Sequence, residues 1–265
     1  MKIKLYRFSI PFKKYLIINN VRFDYREGVV ISVAYMGQTG FGEASPLESF
    51  NRETLSDAVW ALEGLIAAID DCSVMRAREL AKEHLVSVPS AAFAFDTALY
   101  DLEARLNKKP LRYFINPKAL QFINVNTLID KDSSLSNKSL KIKLSERNIF
   151  SLVDRIETLC SRIEPGSKVR LDFNGSLDLP RSIRLVKSIK HLKEKIEYIE
   201  QPLCNDESCL EDTAELRLHS EIPIALDESA SSLESIKKII DFSAADAIIL
   251  KPMQCGFYSD IFKIK

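Results

Sequence analysis

The chain opens on an alternation of apolar and polar positions. Over residues 2–9, Ile3, Leu5 and Phe8 are interleaved with charged or polar residues, and residues 28–36 carry Val29, Val30, Ile31 and Val33. Both stretches predict strands, the second through its β-branched residues. The run Gly37-Gln38-Thr39-Gly40-Phe41-Gly42 follows. Its glycine order is wrong for G-x-G-x-x-G, and it lies between strand-like runs rather than opening a helix, so a hairpin turn is predicted and not a phosphate loop. The period then lengthens. Over residues 51–69, Leu55, Val59, Leu62, Leu65, Ile66 and Ile69 fall on one helical face, with Asn51 the expected N-cap. A shorter helix is predicted over 75–85. A third is predicted over 90–106, capped by Ser90 after Pro89, with Asp96 and Asp101 as capping or ion-pair residues. Strands followed by helices make this part α+β.

From about residue 120 strand-like and helical runs alternate. Strands are predicted over 120–129, 140–144, 169–173, 196–199, 222–226 and 247–250. Helices between them run through Ile149 and Leu159, Ile183 and Leu192, the region of Cys209 and Leu218, and Leu233 and Ile240. Such alternation predicts right-handed βαβ units and a parallel sheet. Residues 130–139, with Ser133, Ser134, Ser136 and Ser139, are too poor in apolar residues for a full helix. The change of pattern divides the chain into domains 1–115 and 116–265.

The strand ends carry the chemistry. Strand two ends on Lys141-Ile142-Lys143, strand three on Asp172-Phe173-Asn174, strand four on Glu200-Gln201-Pro202, strand five on Asp227-Glu228 and strand six on Lys251-Pro252. Lys143, Asp172, Glu200, Asp227 and Lys251 thus recur once per βα unit. In a barrel such tips converge on one mouth, where catalytic groups sit. Three convergent carboxylates repel one another unless a cation lies between them, and hard oxygen donors on an open site suit Mg²⁺. Lys141 and Lys143 point to the same face, about 7 Å apart. A like charge at that range, together with a divalent ion, disfavours the ammonium form and prepares a lysine to act as a base.

Composition narrows the classes. Lys+Arg and Asp+Glu are both 37, a net charge of zero, so no global field favours nucleic acid or an anionic membrane. Hydrophobic residues make up 46%, enough for a sizeable core. Cys72, Cys160, Cys204, Cys209 and Cys255 are scattered without a C-x-x-C, which predicts reduced thiols and a cytoplasmic protein rather than a disulfide framework. No signal-peptide pattern or membrane span is expected, and no P-loop or dinucleotide fingerprint is present. His84, His191 and His219 lack metal-ligand spacing and are expected at the surface.

The set Lys141-x-Lys143, Asp172-x-Asn174, Glu200-Gln201-Pro202, Asp227-Glu228-Ser229 and Lys251-Pro252 resembles the enolase superfamily, of the mandelate racemase and muconate lactonizing kind. Within it the chain is similar over nearly its whole length to the o-succinylbenzoate synthase branch. The loop Gly40-Phe41-Gly42-Glu43-Ala44-Ser45-Pro46-Leu47 resembles that family's active-site loop, and the helix from Pro89 through Asp101 its usual helix. The resemblance implies an α/β protein: an N-terminal α+β capping domain followed by a modified (β/α) TIM-type barrel. It implies a Mg²⁺-dependent lyase acting on a small carboxylate, a syn dehydration in menaquinone biosynthesis. Asp172, Glu200 and Asp227 would bind the metal, with Asn174 and Glu228 orienting them. Lys143 would be the base and proton donor, Lys141 its support, and Lys251 a cation facing the ring from the other side.

After Lys251 too little sequence follows for two more βα units, so a barrel ending at the sixth strand is expected. Dipeptide epimerases, N-acylamino-acid racemases and muconate-type cycloisomerases share the two lysines. Their reactions stay open alongside the dehydration, as does a non-catalytic remnant. The sequence leaves the oligomeric state open.

Overall fold

The computed structural model describes residues 1–18, 21–48, 51, 53–129, 135, 138–146, 148–262 and 264. The chain forms two compact units, Met1–Leu120 with Lys251–Lys265, and Gln121–Leu250. Most of the polar segment expected between the first two barrel strands (residues 130–134, 136 and 137) lies outside the described residues.

In the first unit β1 (Lys2–Ile18), β2 (Val21–Tyr35) and β3 (Gln38–Ala44) form an antiparallel sheet in that order. The turn between β2 and β3 is Met36-Gly37, both at positive φ (48° and 76°), the backbone a two-residue hairpin requires. The expected hairpin turn is therefore only these two residues, and Gln38 to Gly42 belong to strand. Val29, Ile31 and Val33 are buried against α1 (Leu55–Ala68), α2 (Val74–His84) and α3 (Pro89–Leu106).

The glycines of β3 serve packing. A Cβ built on Gly40 would lie 2.2 Å from the Ala98 carbonyl oxygen, and one on Gly42 1.9 Å from that of Ala94. Both obstacles are backbone of α3, so the helix rests directly on the strand. Gly42→Ala is expected to destabilise the protein by about 1–3 kcal/mol through overpacking. Thermal unfolding checks this, and an unchanged Tm would contradict the packing role.

Two expected caps differ. The cap of α1 is Thr54, whose side chain accepts from Asp57 N–H while Asp57 accepts from Thr54 N–H, a reciprocal box that starts the helix after Asn51. Asn51 instead accepts from Leu47 N–H. Pro89 is the first helical residue of α3, where its missing N–H costs nothing. Ser90 is thus inside the helix, and its N–H donates to the buried Glu53 carboxylate. Asp96 and Asp101 are ion-pair residues: Asp96 is fully buried and accepts from Arg78 and from Ser259 N–H, and Asp101 accepts from Phe41 N–H and Arg105. The short helix α4 (Leu111–Ile115) follows α3.

Among the described residues the second unit holds six parallel strands in sequential order: β4 (Thr127–Leu128), β5 (Ser139–Lys143), β6 (Lys168–Asp172), β7 (Ile196–Glu200), β8 (Ile224–Leu226) and β9 (Ala247–Ile248). Between them lie α5 (Ile149–Arg162), α6 (Leu179–Ile189), α7 (Leu210–His219) and α8 (Leu233–Asp241). Leu140, Ile142, Val169, Leu171 and Ile199 pack with Leu152 and Ile156 of α5 and with Leu185 and Ile189 of α6. The first strand is far shorter than the apolar run over 120–129 suggests. Only two of its residues pair with β5, and Phe122, Ile123 and Val125 are exposed. Apolar content favours a strand, but a neighbour's backbone is needed to make one.

The residues after β9 form α9 (Pro252–Cys255) and α10 (Tyr258–Ile261) and pack on the first unit, where Phe257 joins its core and Tyr258 meets Phe93 and Tyr100 edge-on. Among the described residues no helix is long and apolar enough to cross a membrane. His84, His191 and His219 are exposed.

The thiols divide. Cys204 and Cys209 form a disulfide, their Cα atoms 6.1 Å apart, contrary to the expectation of reduced thiols. They lie five positions apart in the sequence, and the chain folds back after β7 to bring them into range. Cys72, Cys160 and Cys255 are free. Burial pushes the Cys160 thiol from its usual 9.0 up to about 11. Its pKa is raised in the fold, so its contribution to stability is present below the unfolded value and is lost as pH rises toward the folded one. In a thiol-labelling time course at pH 8, Cys160 is expected to react only on unfolding, well after Cys72; equal rates would contradict its burial.

Candidate active site at the strand tips

Register brings the charged tips together. Lys143 pairs with Asp172 across β5 and β6, and Asp172 with Glu200 across β6 and β7. Glu200 pairs with Ala225 of β8, two residues before Asp227. One face of each strand packs on the helices. The period-2 alternation therefore sends Lys141 and Lys143, Arg170 and Asp172, and Tyr198 and Glu200 to the other face. Asp172 and Glu200 are each 1% exposed and Asp227 8%.

Lys141 binds two of these acids. Its Nζ donates to Glu200 Oε1 at 2.7 Å and lies 2.9 Å from Asp172 Oδ2. Burial disfavours its ammonium form, but the contacts with Glu200 and Asp172 outweigh this and raise its pKa above the usual lysine value. Lys141 is therefore held as a cation, the reverse of a lysine prepared for proton abstraction. Burial raises the Glu200 pKa; Lys141 opposes that and the charges of Asp172 and Asp227 add to it, leaving the pKa above the usual value. Lys143 is different: its side chain is 58% exposed, and its Nζ is 4.0 Å from Asp172 Oδ2.

The turns after the tips are bent sharply. Asn174 (φ 43°) and Gln201 (φ 39°) take left-handed backbone, with Gly175 (φ 72°) beside Asn174. For residues other than glycine such backbone costs on the order of 1–3 kcal/mol, a strain common at functional sites. Asn174 N–H donates to Asp172 Oδ1 at 3.1 Å, and its side-chain amide donates to Glu228 Oε1 at 2.8 Å. Beneath the tips Arg170 pairs with Glu197 and stacks on Tyr198; strict alternation would send Glu197 to the other face, and the register shift between Val169 and Arg170 is what brings it beside Arg170. Lys251 lies past β9, immediately before α9, and belongs to the first unit.

Among the described residues no three His, Cys, Asp or Glu side chains are gathered closely enough to cage a metal ion, so the expected carboxylate cage is not closed. Lys141 stands between two of its members. The donor chemistry nevertheless fits Mg²⁺. Three carboxylates occupy adjacent tips; Asp172 Oδ2 already faces the Lys141 ammonium at 2.9 Å, whereas the buried Glu228 Oε2 has no hydrogen-bond partner among the described residues. A buried carboxylate oxygen left so is costly and is relieved by a cation.

Residues 133–264 match the model of the enolase C-terminal domain-like family, and residues 1–102 that of the MenC N-terminal domain. The chain is 28% identical to o-succinylbenzoate synthase of Pasteurella multocida, over 96% of this chain and 74% of that protein. It is 22% identical to the N-succinyl-L-Arg/Lys racemase of Bacillus cereus, over 96% of this chain and 72% of that one. Among solved structures it superposes on a substrate-liganded L-Ala-D/L-Glu epimerase from Bacillus subtilis with a TM-score of 0.84 (22% identity, 100% of this chain, 77% of that one). It superposes on o-succinylbenzoate synthase from Thermosynechococcus elongatus, complexed with Mg, with a TM-score of 0.80 (21% identity, 99% and 80%). A six-stranded parallel sheet with charged tips and an N-terminal antiparallel sheet defines a barrel-type α/β fold. The chain belongs to the enolase superfamily.

Proposed function

We propose that the chain is a Mg²⁺-dependent lyase. The reaction is the syn dehydration of 2-succinyl-6-hydroxy-2,4-cyclohexadiene-1-carboxylate to o-succinylbenzoate, a step of menaquinone biosynthesis. The observation that carries this reading is the division of labour between two lysines on one strand. Lys141 is held as a cation between Asp172 and Glu200, and Lys143 stands exposed at the tip. The MenC-type N-terminal match and the o-succinylbenzoate synthase relatives support this choice of reaction.

Asp172, Glu200 and Asp227 would hold the metal. When bound, Mg²⁺ supplies electrostatic stabilisation of the negative charge that gathers on a carboxylate as the adjacent C–H bond ionises. Lys143, as the free amine, takes that proton and breaks the C–H bond. As an ammonium it then protonates the departing hydroxyl on the same face, so the C–O bond breaks and water leaves. Lys141 keeps Asp172 and Glu200 in place and remains charged throughout. Asn174 orients Asp172 through its N–H and Glu228 through its amide. Lys251 keeps the role the resemblance gives it, a cation facing the developing aromatic ring.

The epimerase and racemase relatives favour a second reading, proton removal and return at an amino-acid α-carbon by the same lysines. Parallel assays decide: formation of o-succinylbenzoate with added Mg²⁺ supports the first reading. Exchange of α-hydrogen with deuterium in dipeptides or N-succinyl amino acids, without dehydration, supports the second.

A further inference from the structure

Gln201 follows Glu200 and is fully buried, yet no step above uses it. Its side-chain oxygen accepts from Asp227 N–H at 3.1 Å and Ser229 N–H at 3.2 Å. Its side-chain nitrogen donates to Leu203 O at 2.9 Å, Cys204 O at 3.3 Å and Ser229 Oγ at 2.8 Å. The partners fix the amide's orientation: only an oxygen can face two N–H groups, and only an NH₂ two carbonyls. The backbone of the same residue ties the tips further, with Gln201 N–H donating to Ala225 O and Gly175 N–H donating to Gln201 O, both at 2.8 Å.

The β7–β8 ladder itself pairs only two residues, Ile199 with Ile224 and Glu200 with Ala225. Beyond it, Gln201 replaces the missing ladder with a side chain. We propose that Gln201 is the positioning residue that fixes Asp227 relative to Glu200, setting the spacing of the carboxylates and with it the affinity for a divalent cation. The inference rests on reading these carboxylates as a divalent-cation site, and it assigns a role beyond the ligands. Positive φ at Gln201 fits the same account, because the chain must turn at once for one amide to reach both the loop before Cys204 and the turn after β8.

The test uses the whole chain. Gln201→Met keeps the volume and removes all five side-chain hydrogen bonds. Leu152→Ala, in the buried face of α5, serves as a destabilised control away from the tips. Mn²⁺ binding is followed by electron paramagnetic resonance, and amide exchange at Asp227 and Ser229 by NMR on the metal-free protein. Gln201→Met is expected to raise the Mn²⁺ Kd about tenfold, the low end for residues that hold metal ligands in place. It is also expected to speed exchange at both amides at least about tenfold, whereas Leu152→Ala leaves the Kd unchanged. A Gln201→Met Kd within about twofold of wild type, or one shifted equally by Leu152→Ala, would overturn the proposal. Should Gln201→Met fail to fold, Ser229→Ala decides: loss of one hydrogen bond is expected to raise the Kd about threefold, and an unchanged Kd would overturn it. A wild-type chain that binds no Mn²⁺ would defeat the reading of the site, while the exchange rates, which need no metal, still decide whether Gln201 clamps the tips.

Discussion

Lys143→Ala is expected to lower kcat for the dehydration by about 10³-fold or more while leaving the fold intact. Removing a positioned acid–base group ordinarily costs about 10²–10⁴-fold. In the proposed mechanism one lysine would serve both proton transfers, so the upper part of that range applies. The structural cost is small. The side chain is 58% exposed, its carboxylate neighbour is 4.0 Å away, and Lys141 makes the closer contact with Asp172. Surface substitutions of this kind change stability by within about 0.5 kcal/mol. Steady-state kinetics with matched circular dichroism and melting curves would check both halves. A Lys143→Ala enzyme with kcat within about tenfold of wild type would remove Lys143 from the chemistry.

Asp172→Asn is expected to act on the proposed metal site and on Lys141 together. Asparagine keeps an oxygen to accept from Asn174 N–H, so the β6 turn survives. It removes one of the two charges that hold Lys141, leaving Glu200 alone to compensate a half-buried ammonium. Loss of a charged hydrogen-bond partner at a buried site costs about 1–3 kcal/mol, and a lower Tm is expected. Losing one of three carboxylate donors is expected to weaken Mg²⁺ binding about 100-fold. Isothermal titration of both proteins, each confirmed folded, measures it. An unchanged metal titration would show that Asp172 is no ligand.

Much of the barrel unit was legible because its physics is periodic. Each strand is a short β-branched run and each helix a 3.6-period stripe, so the charged residue closing each run stood out at Lys143, Asp172, Glu200 and Asp227. Caps and strand lengths were less legible because they depend on partners. Thr54 wins the cap of α1 through a pairing with Asp57 that Asn51 lacks, and β4 shrinks to the two residues that β5 can pair. The glycines at 40 and 42 announce a constraint, but only the passage of α3 across β3 shows that it is steric. Gln201 was the least legible. Its five side-chain hydrogen bonds reach a loop and a turn that converge only in the fold, and a buried amide has no sequence signal beyond its place after Glu200. The Cys204–Cys209 bridge was hidden for the same reason.

On the proposed reading, the tips of β6, β7 and β8 would hold one divalent ion beside Lys143. Paramagnetic broadening by substoichiometric Mn²⁺ in an amide NMR spectrum tests it directly. The amides of Leu144, Phe173, Gln201 and Glu228 are expected to vanish first, while those along α5 and α6 persist, and excess Mg²⁺ is expected to restore the lost signals. Broadening centred elsewhere, or none at these tips, would contradict it.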